Sequence, residues 1–228
     1  MSAGPVAPEP SVEVVVRPCR APDAERIRTI CFETGFMGEP VGWMWRDRAS
    51  FAALFCDWWI AHEPGSILVA EADGVASGYL LGCAGGRPLS EDARSFVAHF
   101  LGRGCCLRPG TARVMWRMLG DAFLDGVRRQ LPVQASEDRW PAHLHINLLP
   151  ELRRHGTGRL LVSTWLDSLR ARDIPGCHLQ TTAENTRAVR FFEAMGFERH
   201  GAAMPEPGFR TPEGRRLHIQ LMVQSLRP

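Results

Sequence analysis

The chain contains no lysine: all 27 of its Lys+Arg positions are arginine, against 25 Asp+Glu, for a formal net charge of +2. So small a balance makes no electrostatic case for nucleic acid or for an acidic membrane as a partner. The absence of lysine goes with abundant arginine and alanine, a signature of GC-rich coding. Tyrosine is nearly absent too, and Tyr79 is the single phenol the chain could use as a proton donor. No apolar run approaches the roughly 18 residues of a membrane span. Met1 to Pro10 has neither a basic region nor an apolar run, so no secretory signal is expected and the expected location is cytoplasmic. The seven cysteines are odd in number and form no Cys-x-x-Cys pair, and the adjacent Cys105 and Cys106 lack zinc-site spacing. Free thiols and no metal are the expectation. Also missing are a Gly-x-Ser-x-Gly nucleophile elbow and a Gly-x-Gly-x-x-Gly after the first strand, which argues against serine hydrolases and dinucleotide enzymes.

What is present is an ordinary globular composition, 45% hydrophobic and 23% charged over 228 residues. That is enough for one domain with a full core, with or without an insertion. The most informative stretch runs from His143 to Leu161. Leu144, Ile146 and Leu148 alternate with His143, His145 and Asn147, which predicts a strand with one apolar and one polar face. Pro150 ends it, having no N–H for a ladder. Arg153, Arg154, His155, Gly156, Thr157 and Gly158 then lead into a helical stripe of Leu161, Trp165 and Leu169. A helix start offers unpaired backbone amides and the positive end of the dipole, and glycine lets a ligand come close. Arginines add forked donors suited to phosphate. The physical reading is a diphosphate cradle at the mouth of a polar strand face.

Elsewhere the pattern predicts alternating strands and helices. Residues 1–10, with Pro5, Pro8 and Pro10, read as a disordered lead-in, and 11–228 as a single domain. Val12 to Arg17 is a strand, Asp23 caps a helix that Gly35 stops, and Ser50 caps a second with Phe51, Leu54, Phe55 and Trp58 on one face. Ser66 to Gly82 is a hairpin turning at Asp73 and Gly74. Residues 86–141 are read as a helical insertion, one helix starting at Ser90 with Phe96, Val97, Phe100 and Leu101, another carrying Val114, Met115, Met118 and Leu119. It serves as a lid, as a homodimer contact, or as local core. Cys177 to Thr182 is the next strand, and Asn185 caps a helix that closes at Gly196. Phe197 to Met204 is a strand, Pro205 to Arg215 a loop, and Leu217 to Val223 the last strand.

Two motifs together carry a resemblance. Arg153, Gly156 and Gly158 match a Gln/Arg-x-x-Gly-x-Gly/Ala turn. Asn185, Ala188, Phe191, Gly196 and Phe197 match Asn-x-x-Ala-x-x-Phe/Leu-Tyr-x-x-x-Gly-Phe. With one helix and one strand between them, the chain resembles the GNAT superfamily of acyl-CoA-dependent N-acyltransferases. The wording of His143 to Pro150 is nearest to bacterial acetyltransferases akin to the acetyltransferase-like domain of O-GlcNAc hydrolases. The resemblance implies a three-layer α/β/α fold on a mixed, mostly antiparallel seven-stranded sheet. It implies acetyl-CoA as co-substrate and direct transfer of the acetyl group to a primary amine of a small molecule or peptide. It places the diphosphate on residues 153–158, Asn185 and Phe192 along the pantetheine arm, and the thioester carbonyl on the amide of Ile146 or Leu148.

Transfer to an amine also needs a base and a proton for the leaving thiolate. His145 or His143 supplies the base, since imidazole titrates near neutrality. Some members carry a His-x-His on this strand, one residue out of register with the pair here. Many use a tyrosine just after the aromatic of the second motif, where this chain has Phe192. The alternative is therefore a weak or inactive acyl-CoA-binding sensor or scaffold, with the histidines in a structural hydrogen-bond network.

Overall fold

In the computed structural model of the chain the described residues are 13–85, 102, 104, 110–130 and 133–227. Their elements, in order, are β1 (Val14–Pro18), α1 (Asp23–Thr34), α2 (Arg48–Phe55), α3 (Asp57–His62), β2 (Ile67–Ala72), β3 (Val75–Cys83), α4 (Thr111–Arg128), β4 (Ala142–Leu148), α5 (Thr157–Arg170), β5 (Gly176–Thr182), α6 (Thr186–Ala194), β6 (Glu198–Arg210) and β7 (Arg216–Ser225). The strands form a seven-stranded sheet of order β1-β2-β3-β4-β5-β7-β6. All neighbours are antiparallel except β4 and β5.

The two faces of the sheet bury separate cores. Against one face pack α1 to α3, with Ile27, Ile30, Phe51 and Trp59 meeting Val69, Tyr79 and Leu81. Against the other pack α5 and α6, with Leu161, Trp165, Leu169, Val189 and Phe192 meeting Leu80, Leu144 and Leu179. The expected three-layer α/β/α architecture is thus present, and the expected stripe of α5 is its buried face. The Asp73–Gly74 turn has left-handed φ at both residues, 49° and 78°, as a tight hairpin requires.

Several local expectations are corrected. Asp23 lies inside the first turn of α1 and caps nothing; it pairs with Arg17, which also reaches Glu71, and so ties α1 to β1 and β2. Asp47, rather than Ser50, caps α2 by accepting from the Ser50 amide at 2.8 Å. Ser50 instead accepts from the indole of buried Trp45. The single helix expected through Trp58 breaks at Cys56 into α2 and α3. Gly35 does follow α1, but in right-handed conformation; its role is spatial, because the Phe51 ring lies where a Cβ would go. Strand β6 runs on to Arg210, so residues 205–210 are strand where a loop was expected. The first strand is described from Val14 onward.

Of the expected insertion, α4 is a long helix between β3 and β4. The lead-in 1–10 and the helix expected from Ser90 to Leu101 lie outside the described residues. Helix α4 turns acidic residues inward: Asp121 pairs with Arg210, and Asp125, only 2% exposed, with Arg216. Its outer face carries Trp116, Leu119, Phe123 and Val127, all exposed. No helix among the described residues is long and apolar enough to cross a membrane.

Candidate active site

The parallel ladder between β4 and β5 is short. It holds only Ala142↔Cys177 and His143↔His178, and beyond them the strands part. On its other edge β4 stays paired with β3 through Leu148, and the Leu149 amide donates to the Ser77 carbonyl at 2.9 Å. Strand alternation then turns the amides of Asn147 and His145 toward β3, and those of Ile146 and Leu148 toward the gap. The Leu148 carbonyl agrees, since it accepts from Arg153 rather than from a strand.

Past β4, Pro150–Leu152 makes a single 3₁₀ turn, and Gly156 stands at the start of α5 with φ 77° and open space where a Cβ would be. No side chain caps this helix. Its first amides are therefore open to an anion, with the dipole behind them. Arg154 and His155 are exposed, and Arg154 also has left-handed φ, 70°. Thr157 is buried, its hydroxyl without a partner. Gly158 lets the Phe191 ring and Leu148 close in, at 3.3 and 3.4 Å from a would-be Cβ.

Arg153 already has partners. Its guanidinium donates to the Leu148 carbonyl at 3.1 Å and to the Gly38 carbonyl, and pairs with Glu39. It therefore clamps the α1–α2 loop to the end of β4, and Arg187 reaches the same loop at Met37. Asn185 caps α6 by accepting from the Ala188 amide at 3.2 Å. Phe192 is 6% exposed and packs edge-on against Phe191 and Phe197 in the core. The more open ring beside Gly158 is Phe191, which the sequence pattern marks as a motif residue but not as one lining the arm.

The polar face of β4 looks toward α1 and α3. Trp59 stacks over His143 at 5.6 Å and over His145 at 6.4 Å, and Tyr79 also stacks on His145 at 6.1 Å. Asn147 donates to the Tyr79 hydroxyl at 3.0 Å, which lies 3.9 Å from the Cys56 thiol. His178 bonds the Trp140 carbonyl through Nδ1 at 2.7 Å, and burial lowers its pKa. His145 Nε2 is buried with no partner. Burial pushes the Cys31 thiol up, but neighbouring Cys56 and His145 outweigh it and bring it down to about 6. Burial and the Cys31 charge hold Tyr79 well up, so this phenol stays protonated. Trp59, Cys31 and Cys56 gave no sequence signal, because a neighbour from another helix is invisible to periodicity.

A further group stands on β6. Between the pairs Pro205↔His218 and Arg210↔Arg216, β6 spends more residues than β7, and the excess bulges from the ladder. Pro205 and Pro207 have no N–H to donate there. Glu206 lies between them, its Oε2 buried and unpartnered. Burial and the Glu184 charge push its carboxyl up to about 7.

The acetyltransferase (GNAT) family model matches residues 24–197. Mycothiol acetyltransferase of Streptomyces griseus is 37% identical over 65 residues, 28% of this chain and 21% of that protein, so the match spans about a fifth of that relative. Among solved structures, SsHAT superposes with a TM-score of 0.61 at 24% identity, covering 94% of this chain and 99% of its own. The yncA protein of Salmonella typhimurium, solved with acetyl-CoA, has a TM-score of 0.54 at 16% identity and 94% coverage of both chains. Polyamine N-acetyltransferase of Drosophila melanogaster has 0.55 at 16%, covering 93% of this chain and 100% of its own. These likenesses give no support to the narrower one with the O-GlcNAc hydrolase domain. With the family model spanning most of the fold, from α1 through the second motif, the chain belongs to the acetyltransferase (GNAT) family.

Proposed function

We propose that the chain transfers an acetyl group from acetyl-CoA to a primary amine by direct attack. The observation that carries this reading is the parted β4–β5 pair directly before an uncapped helix start. The gap presents the Ile146 and Leu148 amides to a thioester carbonyl, and the amides at Gly156, Thr157 and Gly158 suit a diphosphate. Arg154, His155 and Arg159 add exposed donors around that turn. Arg153 contributes by holding the turn against the α1–α2 loop, and Asn185 by fixing the start of α6. Phe191, beside Gly158, is better exposed to the pantetheine arm than Phe192.

His145 acts as base, directly or through one water, with His143 second. Its Nε2 is buried without a hydrogen-bond partner, and Trp59 and Tyr79 both stack on the ring. Calorimetry with acetyl-CoA and with NAD tests the cradle: acetyl-CoA binds, NAD does not, and Gly156→Asp abolishes the binding. Unchanged affinity in that variant removes the cradle. Free-thiol release against an amine library, with mass spectrometry of the product, tests the transfer.

One observation favours the second reading, a binding module without turnover. Phe192 occupies the place of the proton donor and is packed in the core, while Tyr79 is bound to Asn147. Under it, wild type holds acetyl-CoA yet releases thiol no faster than background with every amine tried.

A further inference from the structure

Glu206 combines features that a carboxylate in a finished structure does not usually combine. It sits in a bulge between two prolines, its Oε2 is shut off from solvent, and nothing bonds that oxygen. An unpaired buried charge is costly, and proteins pair or neutralise such groups unless function retains them. The two arginines nearby on the chain are already committed, Arg210 to Asp121 and Arg216 to Asp125. The charge that reaches Glu206 among the described residues is another carboxylate, Glu184. Glu184 is itself satisfied by His218, through Nδ1 at 2.7 Å and the amide at 3.1 Å. Among the described residues the local field is thus negative, with no cation paired to Glu206.

The position matters as much as the charge. Strands β4 and β5 part toward their C-terminal ends. Thr182, the last residue of β5, pairs with Ile219, the Ala183 amide donates to the His218 carbonyl, and His218 pairs with Pro205. Glu206 follows immediately, so the bulge lies at the rim of the open end. Its neighbours Phe209 and Leu217 join the core on the same side of the sheet as Trp59 and Tyr79, the side that the β4 histidines face. Helix α4 closes the outer flank, where the Gly208 amide donates to Asp121 at 2.8 Å and Met118 fills the space a Gly208 Cβ would need.

We propose that Glu206 receives the non-reacting ammonium group of a diamine acceptor, whose other amine, once neutral, takes the acyl group; this rests on the acyltransfer reading above. A bound cation supplies the partner that Oε2 lacks and offsets the charge of Glu184. Neutral acceptors of the same length gain neither. Because the carboxyl is pushed up to about 7, an incoming ammonium also drives off its proton near neutrality.

The test is calorimetry of the full chain with putrescine as probe, with and without acetyl-CoA, in buffers of different ionisation enthalpy near pH ~7. Wild type binds putrescine and releases a proton on binding, butanol gives no heat, and E206Q binds at least about tenfold more weakly. E206Q keeps its cooperative melt; if it does not fold, the proton release of the wild type decides alone. Equal affinity in E206Q, no putrescine binding by wild type, or binding without proton release overturns the proposal. Titration with acetyl-CoA separates the two readings. Putrescine binding without acetyl-CoA binding sinks the transferase reading and leaves the cation site standing.

Discussion

Two sets of buried polar groups, one where α4 meets β6 and β7 and one at the open end of the sheet, are treated in opposite ways. Where α4 meets β6 and β7, every acid has its arginine: Asp121 has Arg210 and the Gly208 amide, Asp125 has Arg216. Burial works against the Asp121 charge, yet these partners outweigh it and hold the carboxyl below its ordinary value. At the open end of the sheet, Glu206 Oε2 and His145 Nε2 have no partner. The compensated groups are scaffold. The uncompensated ones are a reservoir of unmet interaction, which a substrate can satisfy. Substitutions should therefore separate: in the first region they cost stability, and in the second they cost binding or rate.

The largest effect falls on the second region. His145→Ala should lower turnover by about 10²–10⁴-fold while acyl-CoA affinity stays near wild type, read by steady-state kinetics beside calorimetry. The acidic limb of the pH–rate profile should vanish with it. A variant that keeps full turnover ends the case for His145, and one that only melts earlier makes the ring structural. Next comes Asp125→Ala, which strands Arg216 in a largely buried place. Breaking such a pair costs about 3–5 kcal/mol, measurable by urea denaturation. Loss of catalysis without loss of stability would erase the contrast between the regions.

The two carboxylates also give opposite slopes of stability with pH. Glu206 is raised from 4.5 to about 7, so the folded state holds a proton that the unfolded chain has lost. Its contribution is complete below about 4.5 and disappears as pH rises through about 7. Asp121 is lowered, so its contribution is present above the ordinary carboxylate range and disappears as pH falls through its folded value. Wild type should therefore lose stability on approaching pH 7, while E206Q shows no such decline. Identical profiles would mean that Glu206 titrates normally. The smallest effect is local: Asn185→Ala removes the cap of α6 and should cost about 1 kcal/mol, with a modest loss of acyl-CoA affinity.

Periodicity carries far in this chain where a segment has one environment along its length. The alternation through His143 to Leu148 and the stripe of Leu161, Trp165 and Leu169 are local facts, and both become the faces they predict. Turn chemistry carries as far at Asp73–Gly74 and at Asn185. It fails where a tertiary partner outbids the local one. Arg17 takes Asp23 away from capping, and Trp45 engages Ser50. The prolines of 205–207 read as loop because proline weakens a ladder, yet the strand survives as a bulge because α4 and β7 hold it on both sides.

By itself, then, the order of residues determined the strand–turn–helix unit from β4 into α5, the two faces of β4 and the family pattern of its second motif. Each rests on spacing along one segment, which a backbone period of two or 3.6 converts directly into direction. Only the tertiary structure decided that β4 and β5 part after two pairs, that Trp59 and Tyr79 stack on His145, and that Glu206 Oε2 is buried with no partner among the described residues. Those depend on which distant segments meet. A side chain's pKa and its unmet hydrogen bonds belong to the space it shares with them, not to its place in the chain.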